Sequence, residues 1–232
     1  MRIRHETLDA VFGMVYLALM TNVLLVGACL PLVAGLLTTD PARSWPLLAL
    51  LAPGCAPALC AAFAVLAAFT ADRSTPVITT FLRAWRGTAR RAVTLGAATT
   101  AALVVLGVDA RAAWDHPVGA LALPVLLVAM TLIVATALLV TVVLAEKPAV
   151  RLRDAARVCV YLAVRRWYLT VVSLAVLALL HALLAGYPAV ALGLAATPLL
   201  YVVWANSRFT LNAALGTSTV PSPAPTTRSA YP

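Results

Sequence analysis

The chain is predicted to be all-α: a polytopic membrane helical bundle of six transmembrane helices with two basic amphipathic cytoplasmic helices. Three observations predict it. Six apolar runs (Val11–Leu37, Trp45–Ala71, Ala92–Val108, Val118–Ala145, Tyr168–Ala185 and Pro188–Ala205) contain no Asp, Glu, Lys or Arg. Hydrophobic residues make up 63% of the 232 residues and charged ones 11%, against about 45–50% and about 25% in soluble domains. The basic residues are also distributed unevenly between the loops. A helix rises about 1.5 Å per residue and the hydrocarbon layer is about 30 Å thick, so roughly 20 apolar residues span it. Helices satisfy their own backbone polar groups in lipid. A closed barrel is excluded because the runs are continuous rather than alternating.

Orientation follows from charge. With the amino terminus inside and six helices threaded, all but Arg43 and Arg111 of the 17 basic residues fall on the inner side. The positive-inside rule then places both termini in the cytoplasm of a multi-pass protein in the plasma membrane. The net charge of +9 thus serves orientation and contact with anionic lipid headgroups rather than nucleic acid. A single lysine against sixteen arginines, with abundant Ala and Val, suits a GC-rich bacterial genome.

Residues 1–10 form a short amphipathic lead-in carrying Arg2, Arg4, Glu6 and Asp9. The first apolar run is much longer than the core of a cleavable signal peptide, so it is expected to remain as a span. It carries Asn22 and Pro31, and an outer loop turns at Asp40-Pro41. Helix 2 opens on Trp45 and carries Pro53 and Pro57, prolines that kink a spanning helix but are tolerated there.

Residues 72–91 are the first basic segment. Ser74-Thr75-Pro76 reads as a helix start with Pro76 in the first turn. Val77, Ile78, Phe81, Leu82 and Trp85 recur at three- and four-residue spacing, offset from Arg83, Arg86 and Arg90. The pattern predicts an amphipathic helix along the inner membrane surface, with Arg90-Arg91 closing it against helix 3.

Residues 146–167 repeat the plan. Pro148 is expected to start a helix, Val150, Ala155, Val158, Tyr161 and Leu162 supply apolar positions, and Arg165-Arg166 precede helix 5. Internal duplication and convergence under the positive-inside rule both account for the likeness. Gly186-Tyr187-Pro188 breaks the last apolar stretch into a tight hairpin, because one helix from 168 to 205 would outrun the bilayer. Residues 1–212 therefore form a single six-helix domain, and residues 213–232 a disordered Pro/Ser/Thr-rich cytoplasmic tail.

Chemistry is scarce. The polar groups within the apolar runs include Asn22, His181 and scattered threonines, and no carboxylate accompanies them. His181 and Asn22 read best as helix–helix hydrogen-bonding residues rather than proton carriers. No metalloprotease, nucleophile-elbow or phosphate-loop motif is present, and Asp115-His116 alone makes a poor metal site. No catalytic residue, metal ligand or cofactor is expected, and the chain does not read as an enzyme. The four cysteines lack metal-ligand spacing. Cys29 and Cys55 are open to two readings, a disulfide between outer halves of adjacent helices or small buried hydrophobes, the second being the simpler.

Asn22-Val-Leu-Leu with Leu30-Pro31, and Phe81-Leu-Arg-Ala-Trp85 with Arg90-Arg91, resemble the opening and the basic aromatic segment of the YesL-like family of predicted bacterial integral membrane proteins, a domain of unknown function. The likeness extends over about residues 5–210 and implies no catalytic residues. The helix 2 start is richer in Ala and Pro than the family pattern. The resemblance implies an integral membrane protein of unestablished activity associated with carbohydrate uptake, and the two basic surface helices with the lack of core charges read as an accessory or regulatory component. Its partners would be lipid headgroups and membrane subunits of a solute-uptake system, met through Phe81, Arg83, Trp85, Arg86, Arg90, Arg91, Arg165 and Arg166. The alternative is a small transporter or channel acting as a homo-oligomer.

Overall fold

The structure, a computed structural model, describes residues 2–40, 43–73, 75–114, 116, 119–187 and 190–215. Among these the chain is helical, without a β-strand. The elements are α1 (Arg2–Ala28), α2 (Leu30–Thr38), α3 (Trp45–Leu51), a 3₁₀ turn (Ala52–Cys55), α4 (Ala56–Ala71), α5 (Val77–Ala113), α6 (Gly119–Glu146), α7 (Leu152–Arg165), α8 (Trp167–Gly186), a π turn (Ala191–Ala195) and α9 (Ala196–Leu215).

Prolines set most of the breaks. Pro31 has no N–H to give to the Gly27 carbonyl, and its ring crowds that group. The chain bends there by 71° between the Phe12–Ala28 part of α1 and α2. Pro53 has no N–H to give to the Ala49 carbonyl, the helix tightens into the 3₁₀ turn between α3 and α4, and Pro57 sits in the first turn of α4. Pro76 precedes α5 in extended conformation, so the helix starts one residue later than the sequence suggests. Likewise α7 starts at Leu152, after a turn that holds Pro148.

Four stretches are long and apolar enough to cross a membrane: Trp45–Ala71, Val77–Ala113, Gly119–Glu146 and Trp167–Leu184. There are five if the bent Phe12–Ala28 and Leu30–Thr38 pair is one span. The sixth expected span, 188–205, is not among them. Pro188 and Ala189 lie outside the described residues, and α9 continues through Asn206, Arg208 and Asn212, which dilute its apolar character. The expected tail beyond Leu215 also lies outside the described residues.

The first basic segment departs from expectation. No break separates it from helix 3: α5 is one helix of 37 residues, roughly 55 Å long. Consecutive arginines do not interrupt a backbone ladder, and Gly87 alone costs only about 1 kcal/mol in a helix interior.

At the centre stands α4, packed against α1, α5, α6 and α9. Ala58, Ala61, Ala62, Phe63 and Val65 are fully buried. Its small residues allow close backbone approach, the usual basis of helix association in membranes. Gly96 of α5 uses that closeness: a Cβ there would stand 2.9 Å from the Ala56 Cβ and 3.1 Å from the Pro53 Cα.

Candidate functional site

The basic first half of α5 is amphipathic, but its apolar face meets protein. Val77, Phe81, Thr88 and Ala92 form one buried face. Phe81 is 2% exposed and sits in the same core cluster as Phe63 and Leu66 of α4. That position removes Phe81 from contact with lipid or a partner. Trp85 is half-buried, and its Nε1 is buried without a hydrogen-bond partner among the described residues. Arg83, Arg86 and Arg90 are exposed at spacings of three and four, so they share the opposite face.

Arg91 joins the two basic segments. Its guanidinium donates to the carbonyl of Pro148, in the turn between α6 and α7. Nearby, Arg208 of α9 pairs with Glu146 at the end of α6, Nε to Oε1 at 3.4 Å, and lies 5.1 Å from the centre of the Trp204 ring. Both α5 and α9 thereby converge on the end of α6. Arg165 donates to the Tyr161 hydroxyl at 3.2 Å, and Arg166 lies over the Phe209 ring at 5.8 Å. No contact joins Arg83, Arg86 or Arg90 to Arg165 or Arg166 among the described residues.

The helix α7 buries Ala155, Cys159, Leu162 and Ala163 on one face. Its outward side carries Arg157, Val158, Tyr161 and Val164 and continues into exposed Trp167 and Tyr168. Trp and Tyr beside arginine suit the boundary between water and lipid headgroups. Burial pushes the Cys159 thiol up to about 12, so it stays protonated and unreactive near neutrality.

Asn22 makes the most developed polar contact. It is 2% exposed in α1 and faces the π turn before α9. In an uninterrupted helix the Thr197 N–H would bond the Gly193 carbonyl. Here the Asn22 carboxamide stands between them: its Nδ2 donates to Gly193 O at 2.8 Å, and the Thr197 N–H donates to its Oδ1 at 2.9 Å. The Thr197 hydroxyl lies 2.5 Å from the same Oδ1 and 3.2 Å from the Ala18 carbonyl. Pro198 follows, and its missing N–H also frees the Leu194 carbonyl. The helix answers with a wider turn, the Ala196 N–H reaching back five residues to Ala191.

A second inter-helix contact was not anticipated from the sequence. Asn206 Nδ2 in α9 donates to the Leu169 carbonyl and the Ser173 hydroxyl of α8, both at 2.6 Å. The signal was an amide residue next to an apolar run. His181, by contrast, is exposed on α8 and has no hydrogen-bond partner among the described residues. Cys29 and Cys55 carry free thiols that lie close to each other. His116 is exposed, Asp115 lies outside the described residues, and no three His, Cys, Asp or Glu side chains converge on a metal-sized space among the described residues.

No protein-family model matches the chain, and neither a curated protein nor a solved structure is significantly similar to it.

Proposed function

We propose that the chain is an accessory or regulatory component of a solute-uptake system, acting by contact rather than by chemistry of its own. In this reading it spans the bacterial plasma membrane six times, with both termini cytoplasmic, and belongs with the YesL-like proteins whose motifs it resembles. Carbohydrate uptake is the first system to test. The observation that carries the reading is the basic end of the bundle. Arg83, Arg86 and Arg90 face outward from α5, and Arg91 ties that helix to the turn leading into α7. Such a face suits anionic headgroups and an acidic partner surface, while the apolar runs offer no carboxylate for ion coupling.

The test is purification from native membranes in mild detergent, with co-purifying proteins identified by mass spectrometry. The expected result is recovery of solute-uptake subunits that are absent from a mock purification, and their loss when Arg83→Glu and Arg86→Glu are combined in a variant that still inserts. Recovery unchanged by the double substitution would overturn the role of this face.

The second reading, a small transporter or channel acting as a homo-oligomer, draws on the interrupted helices. The 71° break at Cys29 and the π turn beside Asn22 resemble the discontinuous helices around which transporters build sites. A homogeneous oligomer that purifies alone and carries solute flux in liposomes would favour this reading over the first.

A further inference from the structure

The outward face of α7 carries more apolar surface than water alone would suit. Exposure there runs from 41% for Val160 through Val158 and Val164 to 59% for Tyr161, and exposed Arg153, Arg157 and Arg165 lie between them. The opposite face is used up in the core, where Ala155, Cys159, Leu162 and Ala163 are buried. With 14 residues, about 21 Å, α7 is too short to cross a membrane.

Position and charge select what covers this face. The backbone leaves the helical region at Arg166 (φ −115°, ψ 45°), so α7 and α8 are separate helices. Exposed Trp167 and Tyr168 follow at once, side chains that favour the headgroup level. Exposed Val171 and Val172 come next, in a stretch long and apolar enough to cross a membrane. The uncovered face of α7 is thus continuous with the one that α8 would turn to lipid. Its arginines outnumber its acidic groups three to one, Asp154 being the one carboxylate of the helix. Lys147 and Arg151 precede it and Arg166 follows. Arginine stems lie along apolar surface while their guanidinium groups reach phosphates. Arg165 donates to the Tyr161 hydroxyl at 3.2 Å, which holds ring and charge side by side.

We propose that α7 seats in the headgroup layer of a leaflet rich in anionic phospholipid. Val158, Tyr161 and Val164 are immersed, and Arg153 and Arg157 meet lipid phosphates, drawn by the negative surface. The proposal rests on the membrane placement given above and not on an uptake partner. It assigns lipid contact to α7 and leaves the outward face of α5 to that partner.

Hydroxyl-radical footprinting of the full chain in lipid nanodiscs tests this with no partner present. Discs of phosphatidylcholine are compared with discs of an equal mixture of phosphatidylcholine and phosphatidylglycerol. Tyr161 is expected to be modified more slowly in the mixed discs, while Tyr187, at the far end of α8, is modified equally in both. Arg153→Gln combined with Arg157→Gln should abolish the protection of Tyr161, and so should Val164→Gln, a second exposed position, if the first variant fails to fold. Arg83→Gln combined with Arg86→Gln on α5 should leave the protection intact. Equal modification of Tyr161 in the two discs would overturn the proposal and give the face to a protein instead. Protection that survives the folded α7 variants, or that is lost in the α5 variant, would overturn it as well. The uptake reading is decided separately, by its own purification.

Discussion

Asn22 and Thr197 are joined twice, through the threonine N–H at 2.9 Å and its hydroxyl at 2.5 Å, so that a side chain of the first helix completes the backbone of the last. The carboxamide has one donor group and one acceptor, which match the freed carbonyl of Gly193 and the freed N–H of Thr197. Few other side chains carry both at that spacing.

Asn22→Ala is therefore expected to destabilise the fold by about 1–3 kcal/mol, the usual cost of leaving buried polar groups unpaired. Thr197→Val should cost less, because its backbone N–H keeps the Asn22 oxygen. The two losses should also fall short of additivity, since the substituted groups share one network. Reversible denaturation in detergent measures all three variants. Equal losses for the two single variants would contradict this account.

Gly96→Ala sets a Cβ against Ala56 and the Pro53 backbone. Overpacking of this kind costs about 1–3 kcal/mol. Adding Ala56→Gly should recover only part of the loss, because the Pro53 Cα remains 3.1 Å away. Thermal stability of the single and double variants separates the two contacts, and full rescue would show that Pro53 yields.

Cys29 and Cys55 are expected to form a disulfide under mild oxidation in the folded protein, given that their free thiols lie close together. Intact mass after alkylation reads this directly: both residues should be protected after oxidant and both labelled after reductant. Labelling that ignores the oxidant would mean that the geometry does not close.

Cys159 should resist maleimide at neutral pH in the folded state and react once the chain is unfolded. Its thiol is raised from 9.0 to about 12 by burial. The neutral form is thus the one the fold favours. That contribution is fully present below about pH 9 and is lost as pH rises toward 12. Cys159→Ala should flatten this part of the stability profile, and a profile unchanged by the substitution would rule the thiol out as its source.

How much of this was legible depended on the kind of signal. Uninterrupted apolar runs and prolines speak through local chemistry, so helicity, the candidate spans and the break at Pro31 were within reach of the sequence. Phe81 was not, because a three-four periodicity states that a face is buried without saying whether lipid or α4 buries it. Arg90-Arg91 misled in another way: charge marks a preferred environment, whereas only lost hydrogen bonds or steric conflict end a helix. An asparagine in an apolar run announces a contact with another helix but does not name it, and Thr197 lies 175 residues away.

The unbroken course of α5 has a mechanical side. A continuous helix of 37 residues, longer than a hydrocarbon layer is thick, would work as a lever with its fulcrum at the tight contact of Gly96 with Ala56 and Pro53. A small tilt forced on its arginine-bearing arm becomes an opposite swing at the far arm, around Val105 and Val108. A load on one end of this helix would thereby be felt at its other end without any conformational change within the helix itself.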